Sequence, residues 1–471
     1  MKNMTVENIA RACKGRIVNK EDVSKKEIQG AVLDSRLVEK DFLFFAHKGE
    51  KVDGHDFIEA VFEKGALCVV CERLPENVTG TCIVVNDTLE ALRDIAEYYR
   101  KNLSVKVVGI TGSVGKTTTK EFIASVLSQK YEVLKTEGNH NNLVGLPLTV
   151  LKIRDNHEIA VLEMGISEFG EMTKLSKIAR PDICVITNIG DCHLEHLGNR
   201  DGVLKAKTEI FEYMNPNGDV CLFGDDDKLA TIKEVKGREV LTFGPKEKNA
   251  VHVTKVVNKG LLGSDCTIDN KAEQFTVNVP LPGSHMVNNA LAASAVAKLL
   301  SVPVGLVNTG IKNVKAVSGR SNIIQKNNLT IIDDCYNANP ASMKSALDLL
   351  STSITPKVAI LGDMFEQGEN EKKGHLEVGE YAARKEIDTI ICIGNLSKDM
   401  YERANAFSRK SKVVYFEKVE EAIKNLAKYI KKDDTVLIKA SNGMGFVRIL
   451  DALTDDNMKN AFESREEKLF K

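Results

Sequence analysis

An apolar run at 105–110 passes directly into the loop G-I-T-G-S-V-G-K-T-T at 109–118, and a helical pattern starts near Lys116. This junction limits the fold more than any other stretch. A strand that turns through glycines into a helix points its backbone amides inward, where they and the positive end of the helix meet phosphate oxygens. Lys116 is then placed to reach β- and γ-phosphates, and the Thr117 hydroxyl to bind Mg²⁺. The pattern G-x-x-x-x-G-K-[ST] is met with one departure: its first glycine would fall on Ile110, and glycines stand at 109, 112 and 115 instead. The blander alternative is a glycine-rich turn that merely starts a helix.

Strand-like runs at 159–162, 183–187 and 220–223 alternate with helical segments after the loop, which predicts a parallel sheet covered on both faces. Runs at 251–256 and 275–279 predict a small antiparallel annex, and an Ala-rich helix follows at 285–300. Residues before 103 mix short strands with helices and close on a helix over 87–101. Beyond 317, apolar runs at 329–332, 358–361, 389–393 and 435–438 predict a second doubly wound domain. The chain therefore reads as α/β in three domains. A small α/β N-terminal domain spans 1–103, a central P-loop parallel-sheet domain 104–316, and a C-terminal Rossmann-like domain 317–471. The charged tail after Asp455 reads as a frayed helix end.

Lys and Arg (65) nearly cancel Asp and Glu (66). No broad field draws such a chain to nucleic acid or an anionic membrane. The longest small-apolar run, 290–300, is interrupted by Lys298 and is too short to span a bilayer. Residues 1–20 carry no signal-peptide core, so a cytoplasmic monomer is expected. The ten cysteines show no regular spacing and read as reduced core residues. Cys68 and Cys71 form a C-x-x-C within a strand-like run, where positions i and i+3 face opposite ways and share no metal.

Acids and histidines downstream give the loop its chemistry. Glu163 stands at the end of an apolar strand-like run, where ligand sites of parallel sheets lie, and is placed to bind Mg²⁺; alternatively it is a surface acid. At 187–198, T-N-I-G-D-C-H-L-E-H-L-G crowds two histidines, a cysteine and two acids, but His193 and His196 lack a zinc-site spacing. The segment 202–211 reads as a helix whose lysines face solvent. G-N-H-N-N-L-V-G-L-P-L-T at 138–149 is a loop rich in Asn and Gly, whose amides could hold polar substrate atoms.

The displaced-glycine loop T-G-x-x-G-K-T-T resembles that of the Mur ligases and the related folylpolyglutamate synthetases. The resemblance runs from about residue 30 to 445 in matching order. It includes the T-N-x-x-x-x-H-L stretch from 187, P-G-S-H-M-V-N-N-A at 282–290 with Met286 in place of an Asn, and Gly319-Arg320. It continues through D-D-C-Y-N-A-N-P at 333–340 and L-G-D-M-F-E-Q-G at 361–368 with Gln367 in place of a Leu. In K-A-S-N-G-M at 439–444, Ala440 and Asn442 replace a Gly and an Arg. D-S-R at 34–36 and K-G-E-K-V-D-G-H-D-F at 48–57 resemble the family's uridine-nucleotide-binding domain. The Y-N-A-N-P and L-G-D-M segments resemble the branch that adds D-alanyl-D-alanine to UDP-N-acetylmuramoyl-tripeptide.

The resemblance implies an ATP-dependent, ADP-forming ligase of peptidoglycan precursor synthesis. It implies ATP contacts from Gly112, Ser113, Gly115, Lys116, Thr117, Thr118, Asn289, Arg320 and Asp334. It implies two Mg²⁺ ions held by Thr117, Glu163, His193 and a carbamylated Lys207, with Lys116, Lys207 and His193 catalytic. Substrate contacts would come from Ser35, Arg36, Lys48, Asn139, Asn141, Asn142, Tyr336, Asn337 and Asn339. In this chemistry the tripeptide carboxylate attacks the γ-phosphate, and the D-alanyl-D-alanine amine then displaces phosphate; positioning and charge neutralisation carry the first step. The alternatives are another Mur-type amino-acid ligase, a folate enzyme and a P-loop nucleotide switch. Y-N-A-N-P speaks against the first, the N-terminal block against the second, and the Glu163–His193–Lys207 set against the third. The third residue of the tripeptide, lysine or diaminopimelate, stays open.

Overall fold

The computed structural model describes residues 1–19, 23–76 and 78–457; the tail predicted to fray falls, beyond 457, outside them. The central sheet has six parallel strands in the order Leu241–Phe243, Asp219–Phe223, Ile183–Ile186, Lys106–Thr111, Ile159–Glu163, Val133–Lys135. The strand that enters the glycine loop sits inside the sheet, and later strands add on both of its flanks. The C-terminal ends of Lys106–Thr111, Ile159–Glu163 and Ile183–Ile186 thus open one crevice at the topological switch.

Alternation along these strands feeds two cores. Val108 and Ile110 pack with Phe122 and Ile123 of helix Lys116–Leu127 and with the buried Ala-rich helix Ser284–Leu299. Val107 faces the other way, toward Leu146, Leu175 and helix Thr88–Lys101 of the N-terminal domain, through Leu92, Ile95 and Tyr99. Each such buried side chain is worth about 1.5–3 kcal/mol. Asp87 caps that helix by accepting from the Glu90 N–H. Tyr99 donates to the Ile153 carbonyl at 2.6 Å and Arg100 to the Ala179 carbonyl at 2.8 Å, which ties the first two domains together.

The N-terminal sheet runs Arg16–Val18, Cys82–Val84, Cys68–Cys71, Phe42–Ala46, Gly30–Val32, with the first pair antiparallel. Cys68 belongs to the core shared with Leu92 and Cys71 to the opposite one with Ile58, as a strand requires. All ten cysteines are free. The annex has three strands, not two. Ser264–Asp269 lies between the predicted pair, His252–Asn258 and Gln274–Val279. Its sequence alternates buried and half-exposed positions, so it shows no apolar run.

The C-terminal sheet has the order Asn322–Lys326, Leu329–Asp333, Thr435–Lys439, Lys357–Gly362, Thr389–Ile393, Lys412–Phe416. All pairs are parallel except the first, a hairpin turned by Asn327 and Asn328 with φ of 55° and 56°. Two Asn residues at positive φ form the turn that suits two twisted strands. Among the described residues no helix is long and apolar enough to cross a membrane.

Candidate active site

The glycine loop is braced by its own protein neighbours. Gly112 has φ of 149°, and a Cβ there would collide with the Thr187 hydroxyl; Gly115 has φ of 81°. Asn188 accepts from the Val114 N–H at 3.0 Å and donates back to its carbonyl at 3.0 Å. Thr187 donates to the same carbonyl at 2.7 Å. The T-N pair of the next strand end therefore holds the loop, a role its sequence does not announce. Lys116 curls back, its Nζ donating to the Gly112 carbonyl at 2.8 Å. Burial lowers its ammonium below the ordinary value, and the nearby Glu163 charge opposes that shift.

Glu163 is buried at its strand end. Its Oε1 accepts from Thr117 Oγ1 at 3.0 Å and from Asn141 Nδ2 at 2.8 Å. Its Oε2 is buried without a hydrogen-bond partner. A buried acceptor left unmade costs about 1–3 kcal/mol, more when charged. A hard cation that takes one or two carboxylates, with phosphate oxygens and water completing its shell, fits this arrangement. Among the described residues no three His, Cys, Asp or Glu side chains gather as a metal cluster.

His193 stands at φ of 51° and its Nδ1 pairs with Glu366 Oε2 at 2.9 Å, across to the C-terminal domain. His196 is exposed, as expected of a surface residue. Helix Arg200–Thr208 separates its two lysines: Lys205 is exposed, while Lys207 is 1% exposed. Burial brings the Lys207 ammonium down to about 8; Lys116 pushes the same way and Cys192 opposes it. The solvated-lysine reading thus fits Lys205 and fails for Lys207.

The C-terminal domain supplies the facing wall. Asp333 is buried and accepts the Gly319 N–H at 2.7 Å, which fixes the turn carrying Arg320. The Arg320 guanidinium lies 4.1 Å from the centre of the Tyr336 ring. Asp334 accepts from the Ser321 N–H at 2.9 Å and from Lys439 Nζ at 2.6 Å. Asn339, expected to touch substrate, also caps helix Pro340–Ser351, its Oδ1 accepting from the Ser342 N–H at 2.8 Å. Asn289, expected on adenine, accepts from Thr119 Oγ1 at 2.9 Å.

A cavity of about 690 Å³ joins these groups. Ser113, Gly115, Lys116, Thr117, Thr118, Glu163, Asn141, Asn142, His193 and Asn289 line it from the central domain. Arg320, Asp334, Tyr336, Asn337 and Asn339 line it from the C-terminal one. Lys207 is not among its lining residues, and Ser35, Arg36, Lys48 and Asn139 are not brought to it. Arg36 pairs with Asp34 in solvent, and Lys48 and Asn139 are exposed. Asn142 Oδ1 also accepts the Val144 N–H at 3.1 Å and the Gly145 N–H at 2.9 Å, just before helix Gly145–Val150. Two buried lysines had no assigned role in the sequence. Lys120 sits one turn after Lys116, a spacing that puts it on the face of Glu163, and Lys439 opens the K-A-S-N-G-M segment.

Known proteins resemble this chain over most of its length. The Mur ligase family catalytic domain matches residues 27–106, the Mur ligase middle domain 110–297, and the Mur ligase glutamate ligase domain 319–442. The UDP-N-acetylmuramoyl-tripeptide--D-alanyl-D-alanine ligase of Bacillus subtilis is 37% identical over 96% of this chain and 98% of its own. That of Escherichia coli is 32% identical over 92% and 97%. The crystal structure of MurF from Acinetobacter baumannii superposes with a TM-score of 0.87 at 32% identity, covering 96% of this chain and 98% of that one. MurF from Thermotoga maritima, solved in complex with ADP, gives 0.79 at 32% identity over 93% and 98%. Likeness of this extent, carried through three successive domain matches and nearly the whole length, makes the chain a member of the Mur ligase family.

Proposed function

We propose that this chain joins D-alanyl-D-alanine to UDP-N-acetylmuramoyl-tripeptide in an ATP-dependent, ADP-forming reaction of peptidoglycan precursor synthesis. The observation that carries the reading is the shared cavity: the glycine loop and Glu163 on one wall, Arg320 and Asp334 on the other. A nucleotide held there has its phosphates at Lys116 and the loop amides, and its sugar near Asp334. The tripeptide carboxylate attacks the γ-phosphorus and ADP leaves, which yields an acyl phosphate. The dipeptide amine then adds to the acyl carbon, loses a proton, and expels phosphate.

Mg²⁺ would be held by Thr117 and Glu163, and a second ion by His193 and a carbamylated Lys207; when bound, they neutralise phosphate charge. A buried Lys207 with a lowered pKa offers the neutral amine that takes up CO₂. The three domains, taken as 1–103, 104–316 and 317–471, divide the labour. Ser35, Arg36 and Lys48 serve the uridine nucleotide, and Asn139, Asn141, Asn142, Tyr336, Asn337 and Asn339 the peptide and its approach. The chain acts as a cytoplasmic monomer on soluble substrates.

Phosphate release from ATP tests the reading, measured with UDP-N-acetylmuramoyl-tripeptide, with and without D-alanyl-D-alanine. Release coupled to a peptide product is expected with all three substrates. Equal release without the tripeptide nucleotide would mark a nucleotide switch and end the proposal.

A further inference from the structure

Lys120 is 1% exposed, on a helix whose neighbours Phe122 and Ile123 are core residues. Its Nζ donates to the Thr136 carbonyl at 2.7 Å, lies 3.1 Å from Glu121 Oε1, and lies 3.9 Å from the unpartnered Glu163 Oε2. Thr136 in turn accepts the Glu163 N–H on its hydroxyl at 2.9 Å. Lys120 thus grips the residue that fixes the Glu163 backbone. Glu121 also pairs with Lys135, so one anion is shared by two cations. Lys120 also faces Glu163, which has Lys116 as a second nearby cation. A separation of 3.9 Å is too long for a hydrogen bond and short enough for strong attraction in a buried site. The lysine therefore offsets the carboxylate charge without using the lone pairs of the free oxygen.

We propose that Lys120 is a positioning residue for the ligation: a countercharge built into the core that orients Glu163 while no cation is present and leaves its free oxygen open to one. The proposal rests on Glu163 as a cation ligand. A fixed cation behind the carboxylate opposes the incoming ion, so it weakens metal binding and eases release of the product nucleotide. It also adds to Lys116 in offsetting a buried anion, and leaving such an anion short of countercharge is destabilising.

The test is Mn²⁺ titration of the full-length chain with ADP, free Mn²⁺ being counted by electron paramagnetic resonance. K120M should bind Mn²⁺ about tenfold more tightly than wild type, an effect of ordinary coupling size. Its melting temperature without metal should fall, and Mn²⁺ with ADP should recover most of the loss, because a ligand of the native state stabilises it by mass action. Unchanged or weaker Mn²⁺ binding, or the same melting loss with and without Mn²⁺ and ADP, would overturn the proposal. If K120M does not fold, K120M/E163Q decides: a folded double variant supports the countercharge, and an unfolded one removes it. E163Q alone separates the underlying reading. Wild-type Mn²⁺ affinity in E163Q ends the role of Glu163 as ligand, whereas lost affinity there with no change in K120M ends the role of Lys120 only.

Discussion

Each of the two six-stranded sheets carries an acid where a strand ends, and each acid has a buried lysine beside it, yet the pairs are built differently. Asp334 has both oxygens engaged, by Ser321 and by Lys439 at 2.6 Å. Glu163 has one oxygen engaged and one bare, with Lys120 held off at 3.9 Å. The closed pair suits an acid that keeps its shape and lends a spare lone pair to a neutral hydroxyl. The open pair suits an acid that must receive a cation. Asp334 is therefore expected to serve the fold first and Glu163 the chemistry first.

The largest effects should come from the open side. Lys116→Ala and Glu163→Gln should each lower turnover by roughly 10² to 10³ while the fold persists, since the first removes the positive charge that faces the transferring phosphate and the second a ligand of the cation that neutralises it. Steady-state rates with circular dichroism of the same samples check this, and near-normal turnover in Lys116→Ala would sink the phosphate-loop assignment. Lys207→Ala should lose most activity, with partial recovery on adding a small carboxylic acid, and wild-type activity should fall in buffer stripped of CO₂. A carbamate offers the anionic oxygens that Mg²⁺ prefers, which an ammonium cannot. Wild-type turnover in Lys207→Ala at saturating Mg²⁺ would leave the second ion to His193 and substrate.

On the closed side the balance reverses. Asp334→Asn keeps the shape but leaves Lys439, 3% exposed in its side chain, without its anion. Breaking a buried pair costs about 3–5 kcal/mol, so chemical denaturation should show a large loss. KM for ATP should rise by about tenfold, the weight of one charge-assisted hydrogen bond, with kcat nearly kept. A stable Asp334→Asn with kcat reduced like Glu163→Gln would erase the contrast between the two acids.

What the sequence discloses follows the same division. The glycine loop, the acid at 163 and the pair at 333–334 stand where strands become turns, and composition marks such points. Lys120 and Lys439 are opaque because a lysine reads as solvated unless its fold surrounds it. The bond from Asn141 to Glu163 joins a loop to a strand 22 residues later, a separation no local pattern reports. Ser264–Asp269 and Asn322–Lys326 lack apolar runs and escape a search for them, though the Asn327-Asn328 turn was a usable hairpin signal. Asn339 was legible as a cap, since Asn followed by Pro is a helix start.

The smallest effect should lie where the two walls already touch. Glu366 reaches His193 from a residue with φ of 61°, and Gly368 packs against Glu195, so one turn of the C-terminal domain meets the loop after Ile183–Ile186. Leu261 of the annex packs on the C-terminal core, a second point of contact. Nucleotide groups divided between Lys116 and Arg320 should draw the walls together, excluding water from the acyl phosphate. Small-angle scattering should then show a smaller radius of gyration with an ATP analogue and the tripeptide nucleotide, and an unchanged radius would count against closure. The Glu366 side chain is 59% exposed, and pairs of that kind contribute about 0.2–1 kcal/mol. Glu366→Gln should therefore shift the closing equilibrium by no more than about fivefold, leaving the liganded radius as in wild type. If His193 must leave Glu366 to meet a cation, the variant should need slightly less metal to close. A variant that cannot close at all would mean that this contact, and not the shared nucleotide, holds the two walls together.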